Sequence, residues 1–317
     1  MQLGGFSVKV DLENKIINGD CREKLKGLPE ESVQCCVTSP PYWGLRDYGV
    51  KNQIGLEGAP EKYVENMVLV FNEVRRVLKK DGTLWLNLGD SYAGNMSRAS
   101  EGGRSNMGAE REGIFKRIPN GIKTKDLIGI PWMVAFALRG TGWYLRQDII
   151  WSKPNPMPES VTDRCTKSHE HILLLSKSEK YFYDHEAIKE KTVTPVDAAN
   201  SMTFGSKNGK VNTNDMAHSN EVGKKWEYSE FRNKRDVWIV TTKPYKDAHF
   251  ATYPPKLIEP CILAGSRPGD TILDPFHGSG TTGEVSGKWG REYIGIELNP
   301  EYIEISKKRA YQIGMGI

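Results

Sequence analysis

Two consecutive prolines between a serine and a tyrosine close an apolar run, in which Val33 to Thr38 is followed by Ser39-Pro40-Pro41-Tyr42. Each proline fixes φ and removes a backbone donor, so the turn is rigid and presents carbonyl acceptors beside an aromatic ring. That arrangement suits a particular problem. The exocyclic amine of a nucleobase is a poor nucleophile because its lone pair is delocalised into the ring. Acceptors aimed at its protons polarise it, and a ring such as that of Tyr42 can stack on a base turned out of the duplex. For the tetrapeptide alone, a proline-rich surface turn is the plain alternative.

A second constellation runs from Thr271 to Gly283. It reads as a buried strand ending at Asp274, a turn with Phe276, Gly278, Ser279 and Gly280, and a helix opening at Thr281 and Thr282. Gly278, Gly280 and Gly283 satisfy a GxGxxG spacing. Glu297 follows at about twenty residues, at the end of the next apolar run, where an acid can hold a ribose diol. The glycines let backbone approach a ligand closely, and a helix N-terminus favours a carboxylate or phosphate. A tight turn with no ligand is the alternative, and a nicotinamide cofactor would use the same glycines.

Taken together, the two motifs resemble the amino-methyltransferases of bacterial and phage restriction-modification systems. Their order resembles the permuted beta group, in which the catalytic tetrapeptide precedes the target-recognition region and the cofactor turn comes last. The resemblance implies a Rossmann-like α/β methyltransferase fold, with a circularly permuted, mixed seven-stranded sheet and an inserted target-recognition region. By resemblance, Ser39, Pro40, Pro41 and Tyr42 are catalytic, and S-adenosylmethionine is the cofactor. Its binding residues would be Asp20, Phe250, Thr252, Asp274, Phe276, Gly278, Ser279, Gly280, Thr281, Thr282 and Glu297. In the family the strand ending in the ribose acid is followed by one ending in an acid that meets the adenine; the permutation puts that strand at Lys15 to Asp20. Asp274 would face the methionine amino group. A serine at the first catalytic position accompanies cytosine N4 enzymes, and Asp or Asn accompanies adenine N6 enzymes. Ser39 therefore favours cytosine by association only, because its hydroxyl and the Pro40 carbonyl suit either amine. Double-stranded DNA is the implied substrate, with a cognate restriction endonuclease and a second copy of the chain as implied partners.

The elements that must position these motifs are legible as periodicity. Strands are expected at Lys15 to Asn18, Val33 to Thr38, Thr83 to Leu88, Tyr144 to Trp151, His171 to Ser176, Thr271 to Leu273 and Tyr293 to Ile296. Helices are expected at Glu61 to Leu78, where Tyr63, Met67, Val70, Phe71 and Val74 fall on one face, then at Leu127 to Leu138, Pro255 to Ala264, from Gly280, and Pro300 to Arg309. Lys79-Lys80-Asp81-Gly82 reads as the stop signal of the first helix. Alternating strands and helices argue for an α/β sheet covered on both faces. The chain divides into 1–185, a catalytic part; 186–238, a polar insertion assigned to target recognition; and 239–317, the cofactor part. Ala93 to Lys125 lacks periodicity and is read as a loop whose Arg98, Arg104 and Arg111 meet DNA phosphates. Lys153 and Asn155, in Trp151-Ser-Lys-Pro-Asn-Pro, are DNA contacts or part of a rigid connector.

Composition narrows the remaining choices. The 317 residues carry a formal charge of +4, compatible with a polyanionic partner without requiring one. The five cysteines form no CxxC pair, so free thiols in a reducing compartment are expected. Pro260-Cys261 is similar to the nucleophile of enzymes methylating cytosine C5, but its apolar helical setting reads as core. His169 and His171 lack a partner pair for zinc, so no metal is expected. The N-terminal sequence lacks the apolar run of a signal peptide, and no apolar stretch is long enough to span a bilayer, so the expected location is the cytoplasm of a prokaryotic host, with a phage-encoded origin also open. A nicotinamide-dependent oxidoreductase gives no reason for Ser-Pro-Pro-Tyr, and a non-catalytic DNA-binding module needs neither Asp20 nor Glu297.

Overall fold

The computed structural model describes residues 15–45, 47–93, 121–192, 230–242 and 253–312. Apolar runs without alternation make the middle of its sheet, because a strand covered on both faces has no solvent side. Strands β2 (Val33–Thr38) and β9 (Thr271–Asp274) are of this kind, buried at every position except Thr271. Around them lie β1 (Lys15–Asn18), β3 (Leu78–Leu88), β4 (Tyr144–Ser152), β5 (His169–Ser176), β8 (Val237–Ile239) and β10 (Glu292–Glu297). Their order is β1-β10-β9-β2-β3-β5-β4-β8. The first five are mutually parallel, β5 is antiparallel to both neighbours, and β8 is parallel to β4. Among the described residues the sheet thus has eight strands, one more than the resemblance implies. The extra one is β8, three residues that pair with the otherwise free edge of β4.

The strand at Lys15–Asn18 lies beside β10, with Asn18 level with Glu297. Two distant stretches of chain are therefore neighbours on the sheet, as the permuted order requires.

Helix α2 (Pro60–Val77) buries Tyr63, Met67, Val70, Phe71 and Val74 against Leu84, Leu86 and Leu88 of β3, together with Val134, Ala135 and Leu138 of α3 (Ile130–Gly140). Residues of the opposite parity, Cys35, Thr83 and Trp85, meet α4 (Pro255–Gly265) on the other face. That helix continues through Pro260, and Cys261 is buried within it, in agreement with a core role. Two short elements frame the rest: α1 (Cys21–Lys24) after β1, and α5 (Thr281–Lys288) after β9; α6 (Pro300–Gln312) follows β10. No helix among the described residues is long and apolar enough to cross a membrane.

Several element boundaries differ from the sequence reading, and three of them have a physical reason in the structure. The helix stops at Val77 as its signals demand, but Lys79-Lys80-Asp81-Gly82 belongs to β3. Opposite it, the pairing jumps from Val33↔Leu78 to Cys35↔Thr83, so these residues form an outward excursion of the strand. Gly82 closes the excursion, because a Cβ there would come within 2.9 Å of the Gln34 carbonyl oxygen. Helix α3 begins at Ile130, later than the expected Leu127. The Asp90 carboxylate accepts from the Gly129 and Ile130 amides at 3.0 and 3.1 Å, and Pro131 sits in the first turn, where no donor is required. Strand β5 starts at His169, which brings Glu170 into the sheet.

Residues 185–234 form a second compact unit. Its described part holds the two-stranded antiparallel pair β6 (Glu190–Lys191) and β7 (Phe231–Arg232), with Arg232 bridging Glu190 at 3.0 Å. The expected insertion, 186–238, runs slightly further because Val237 and Trp238 belong to β8.

Gly265 is the contact point between α4 and the sheet. A methyl group there would lie 2.6 Å from Cys35 Sγ and 2.9 Å from Trp85 Nε1. Gly265→Ala is therefore expected to cost about 1–3 kcal/mol by overpacking. The check is urea unfolding, where the midpoint should fall with an unchanged slope.

Candidate active site

The loops at the carboxyl ends of β9, β10, β1 and β2 surround a cavity of about 620 Å³. Open α/β sheets bind ligands at this end, where successive crossovers diverge. The glycine turn makes one wall. Gly280 adopts φ +86°, and a side chain on it would collide with Ser306 Oγ. Gly278 adopts φ +53°, and beyond its own chain neighbours no described atom comes nearer to a notional Cβ than Phe276 O at 3.9 Å. The space above Gly278 is thus left open to the cavity, which it lines together with Phe276, Ser279 and Thr281.

Asp274, Gly280 and Thr282 sit behind that wall and are not among the residues lining the cavity. The Asp274 side chain accepts from Thr38 Oγ1 and Thr282 Oγ1, each at 2.6 Å, and from Tyr253 Oη and the Phe276 amide, each at 3.1 Å. The carboxylate joins the cofactor turn to β2. Beneath the turn, His277 stacks on Tyr293 and lies 2.7 Å from Ser306 Oγ. Gly295 makes room for the imidazole, since a side chain there would collide with its ring.

Glu297 and Asp20 stand on neighbouring strand ends and both line the cavity. Glu297 accepts from the Gly278 and Asn299 amides, each at 2.7 Å. Burial nevertheless pushes its carboxyl above the ordinary range. Burial also acts upward on Asp20, but the hydrogen bonds and charge of Arg22 outweigh it and hold that carboxyl below the ordinary range. Arg22 reaches onward to the Asn52 carbonyl at 2.8 Å, tying Asp20 to the loop after the catalytic turn. Glu297 retains lone pairs for a polar ligand, because a carboxylate has about four acceptor sites, whereas both oxygens of Asp20 already accept from the Arg22 amide and guanidinium.

The opposite wall is Ser39-Pro40-Pro41-Tyr42, all four lining the same cavity. Ser39 Oγ is 3.5 Å from Tyr42 Oη, which donates to Glu170 Oε2 at 2.6 Å and lies 3.1 Å from Asn87 Oδ1. Gly89 allows this packing, as a Cβ there would sit 2.6 Å from the tyrosine ring. Burial, then the Glu170 charge, raise the Tyr42 phenol well above its ordinary pKa, so it remains a donor. Lys153 pairs with Glu170 and lies over the Trp151 ring at 4.3 Å. Asn155 also lines the cavity, but its side-chain amide is engaged in both directions with the Thr242 backbone, the geometry of a rigid connector. Phe250, Thr252, Arg98, Arg104 and Arg111 lie outside the described residues.

Glu170 and Asn87 belong to this wall without having been singled out in the sequence. An acid inside the apolar run of β5 was the available signal, hidden by placing the strand start at His171.

The N6/N4 methyltransferase family, described as DNA methylase, matches residues 33–308. The chain belongs to this family. It is 47% identical over 294 residues to the type II methyltransferase M.Cfr9I of Citrobacter freundii, covering 93% of this chain and 86% of the relative. It is 48% identical over 295 residues to M.SmaI of Serratia marcescens, covering 93% and 90%. Among solved structures it is similar to PvuII DNA methyltransferase (cytosine-N4-specific), with TM-score 0.62, 20% identity, and 94% and 86% of the two chains covered. It also resembles the Thermus thermophilus putative DNA modification methylase TTHA0409 complexed with S-adenosyl-L-methionine, with TM-score 0.58, 23% identity, and 95% of each chain covered. The chain is a DNA methyltransferase of the restriction-modification type that uses S-adenosylmethionine. Its cavity fits that cofactor: Gly278 leaves the turn open, Glu297 keeps lone pairs beside it, and Asp20 stands on the next strand end.

Two outcomes follow from this wall. Glu297→Ala is expected to weaken S-adenosylmethionine binding by about 10–100-fold, the worth of a charged hydrogen bond. Titration calorimetry on the folded variant checks it, and unchanged affinity would remove Glu297 from the cofactor site. The second concerns pH. Burial lowers the His277 pKa from 6.5, so below about pH 6.5 the unfolded chain takes up a proton that the folded chain resists. Stability contributed by neutral His277 is complete above that value and is lost as pH falls toward the lower folded value. Urea unfolding at about pH 7.5 and about pH 5.5 should show a smaller loss for His277→Gln than for the parent.

Proposed function

We propose that this methyltransferase modifies the N4 amine of cytosine at a specific site in double-stranded DNA. The observation that carries the reading is Ser39 at the head of the catalytic turn, facing the same cavity as the cofactor turn. The target base leaves the duplex and enters between Tyr42 and the opposite wall. Ser39 Oγ and the Pro40 carbonyl accept from the two amine protons and return electron density to the nitrogen. S-adenosylmethionine supplies an electrophilic sulfonium methyl. With that group bound, the amine would attack in line: a nitrogen–carbon bond would form as the carbon–sulfur bond broke, sulfur would keep the electron pair, and one amine proton would pass to water. Neither a covalent enzyme intermediate nor a metal takes part. Cys261, buried in α4, is no nucleophile. Catalysis then rests on positioning, which is worth on the order of 7–11 kcal/mol when reacting groups are well aligned.

Residues 186–238 are the region proposed to read the DNA sequence. The site itself can be read from methylated DNA of an expressing strain.

The product decides the amine. Mass spectrometry of nucleosides from DNA treated with enzyme and S-adenosylmethionine is expected to show N4-methylcytosine. N6-methyladenine as the sole product would overturn the cytosine reading and leave the family intact. Ser39→Ala should lower kcat by about 10²–10³-fold, since it removes one polarising contact. The KM for S-adenosylmethionine should stay within about twofold of the parent.

A further inference from the structure

The cavity wall beside the catalytic turn holds one charged pair for which the methyl-transfer steps have no use. Lys153 directly follows β4 and Glu170 lies in β5, with side-chain exposures of only 18% and 12%. Both line the same cavity as Ser39 and Tyr42. A buried ion pair is weak support for stability, because desolvation offsets most of its attraction. Its placement therefore calls for another explanation.

The two partners are not equally satisfied. Glu170 Oε1 takes Lys153, while Oε2 takes Tyr42 Oη at 2.6 Å and Asn87 Nδ2 at 3.3 Å. Its acceptor capacity is largely spent on the protein. An ammonium carries three donors and no acceptor. The structure gives the Lys153 ammonium Glu170 and the face of Trp151, and its backbone is fixed by an amide bond to Ser168 O at 2.8 Å. Donor capacity is left over on a rigidly held cation that faces the base cavity. What it lacks is an acceptor on a ligand.

The pairing edges of the two possible bases differ at one point. Cytosine presents its amine, the ring nitrogen N3 and the carbonyl O2, whereas adenine presents its amine, N1 and a C–H. With the amine held at Ser39 and Pro40, only cytosine offers an acceptor at the far end of that edge. The contacts from Ser39 to Tyr42 to Glu170 to Lys153 run along one wall and join the amine site to the ammonium.

We infer that Lys153 selects the target base by donating to the O2 carbonyl of cytosine, and that Glu170 is the positioning residue fixing Lys153 and Tyr42 together. This rests on the cytosine reading above and adds to it the residue that enforces it.

The test uses the full-length enzyme and duplexes carrying its recognition site, with cytosine, 2-thiocytosine or adenine at the target position. The wild type should act on 2-thiocytosine about tenfold or more below cytosine, since sulfur is the weaker acceptor. In Lys153→Met, kcat/KM on cytosine should fall about 10–100-fold, the worth of a good base contact. The cytosine-to-adenine ratio should fall at least about tenfold, and the difference between cytosine and 2-thiocytosine should vanish. Lys153→Arg should recover part of the ratio. If Lys153→Met does not fold, the wild-type comparison of cytosine with 2-thiocytosine still decides the matter. Equal rates on those two bases, or a folded Lys153→Met with the wild-type ratio, overturns the inference alone. N6-methyladenine as the only wild-type product overturns it together with the cytosine reading.

Discussion

At the Asp274 carboxylate four stretches of chain meet. Thr38 reaches it from the end of β2, Thr282 from the first turn of α5, Tyr253 from the segment before α4, and the Phe276 amide from the glycine turn itself. A fully buried carboxylate is tolerable only when donors replace its lost water, and here they surround it. Each such charge-assisted bond is worth about 1.5–3 kcal/mol. The next residue after Thr38 is Ser39, so this one anion fixes the catalytic turn relative to the cofactor turn. Methyl transfer needs the attacking nitrogen and the methyl carbon in line, and about 1 Å of misplacement can cost about a hundredfold in rate. The anion serves that alignment through all four of its protein contacts.

The rest of the cavity divides by chemistry. On the cofactor side, Glu297 keeps unused lone pairs beside an open glycine, and Asp20 is held by Arg22 on the neighbouring strand end. On the base side, Tyr42, Asn87, Glu170 and Lys153 form a connected polar wall. Connected networks of this kind hold side chains in single rotamers, which a stacking ring and a donor aimed at one carbonyl both require. The supports come from far along the sheet: β5 runs antiparallel between β3 and β4, and that arrangement is what carries Glu170 to the catalytic end.

Much of this was legible in the residues. The unbroken apolar runs of β2 and β9, the helical stripe of α2 and the glycines of the turn each encode their own conformation locally. The adjacency of β1 and β10 could also be anticipated, because the family's strand order leaves a gap that only Lys15–Asp20 can fill. What escaped was set by tertiary contact. Lys79 to Gly82 carries helix-stopping residues and does stop the helix, yet pairing of Leu78 and Thr83 with β2 on either side carries it into the strand as an excursion. The N-terminus of α3 is satisfied by the Asp90 carboxylate, some forty residues upstream, which no local pattern shows. Asp274 is an acid at a strand end, where a ligand contact is the natural reading. Its contacts to Thr38, Tyr253 and Thr282, which tie the two turns together, depend on tertiary structure that no local pattern shows.

The contact between Thr38 and Asp274 spans 236 residues of sequence. A ribosome adding about 5–20 residues per second therefore exposes Ser39 to Tyr42 for roughly 10–50 s before the acid that anchors them exists. Through that interval β2 has β3 on one side and nothing on the other, because β9 is the partner it awaits. Glu297 comes later still, and with it the neighbour that β1 needs. Nascent chains thus carry an open sheet edge and no methylating centre. The methylating centre is complete only once Asp274 and Glu297 have both been made, and until then the open edge is a template for pairing with other chains.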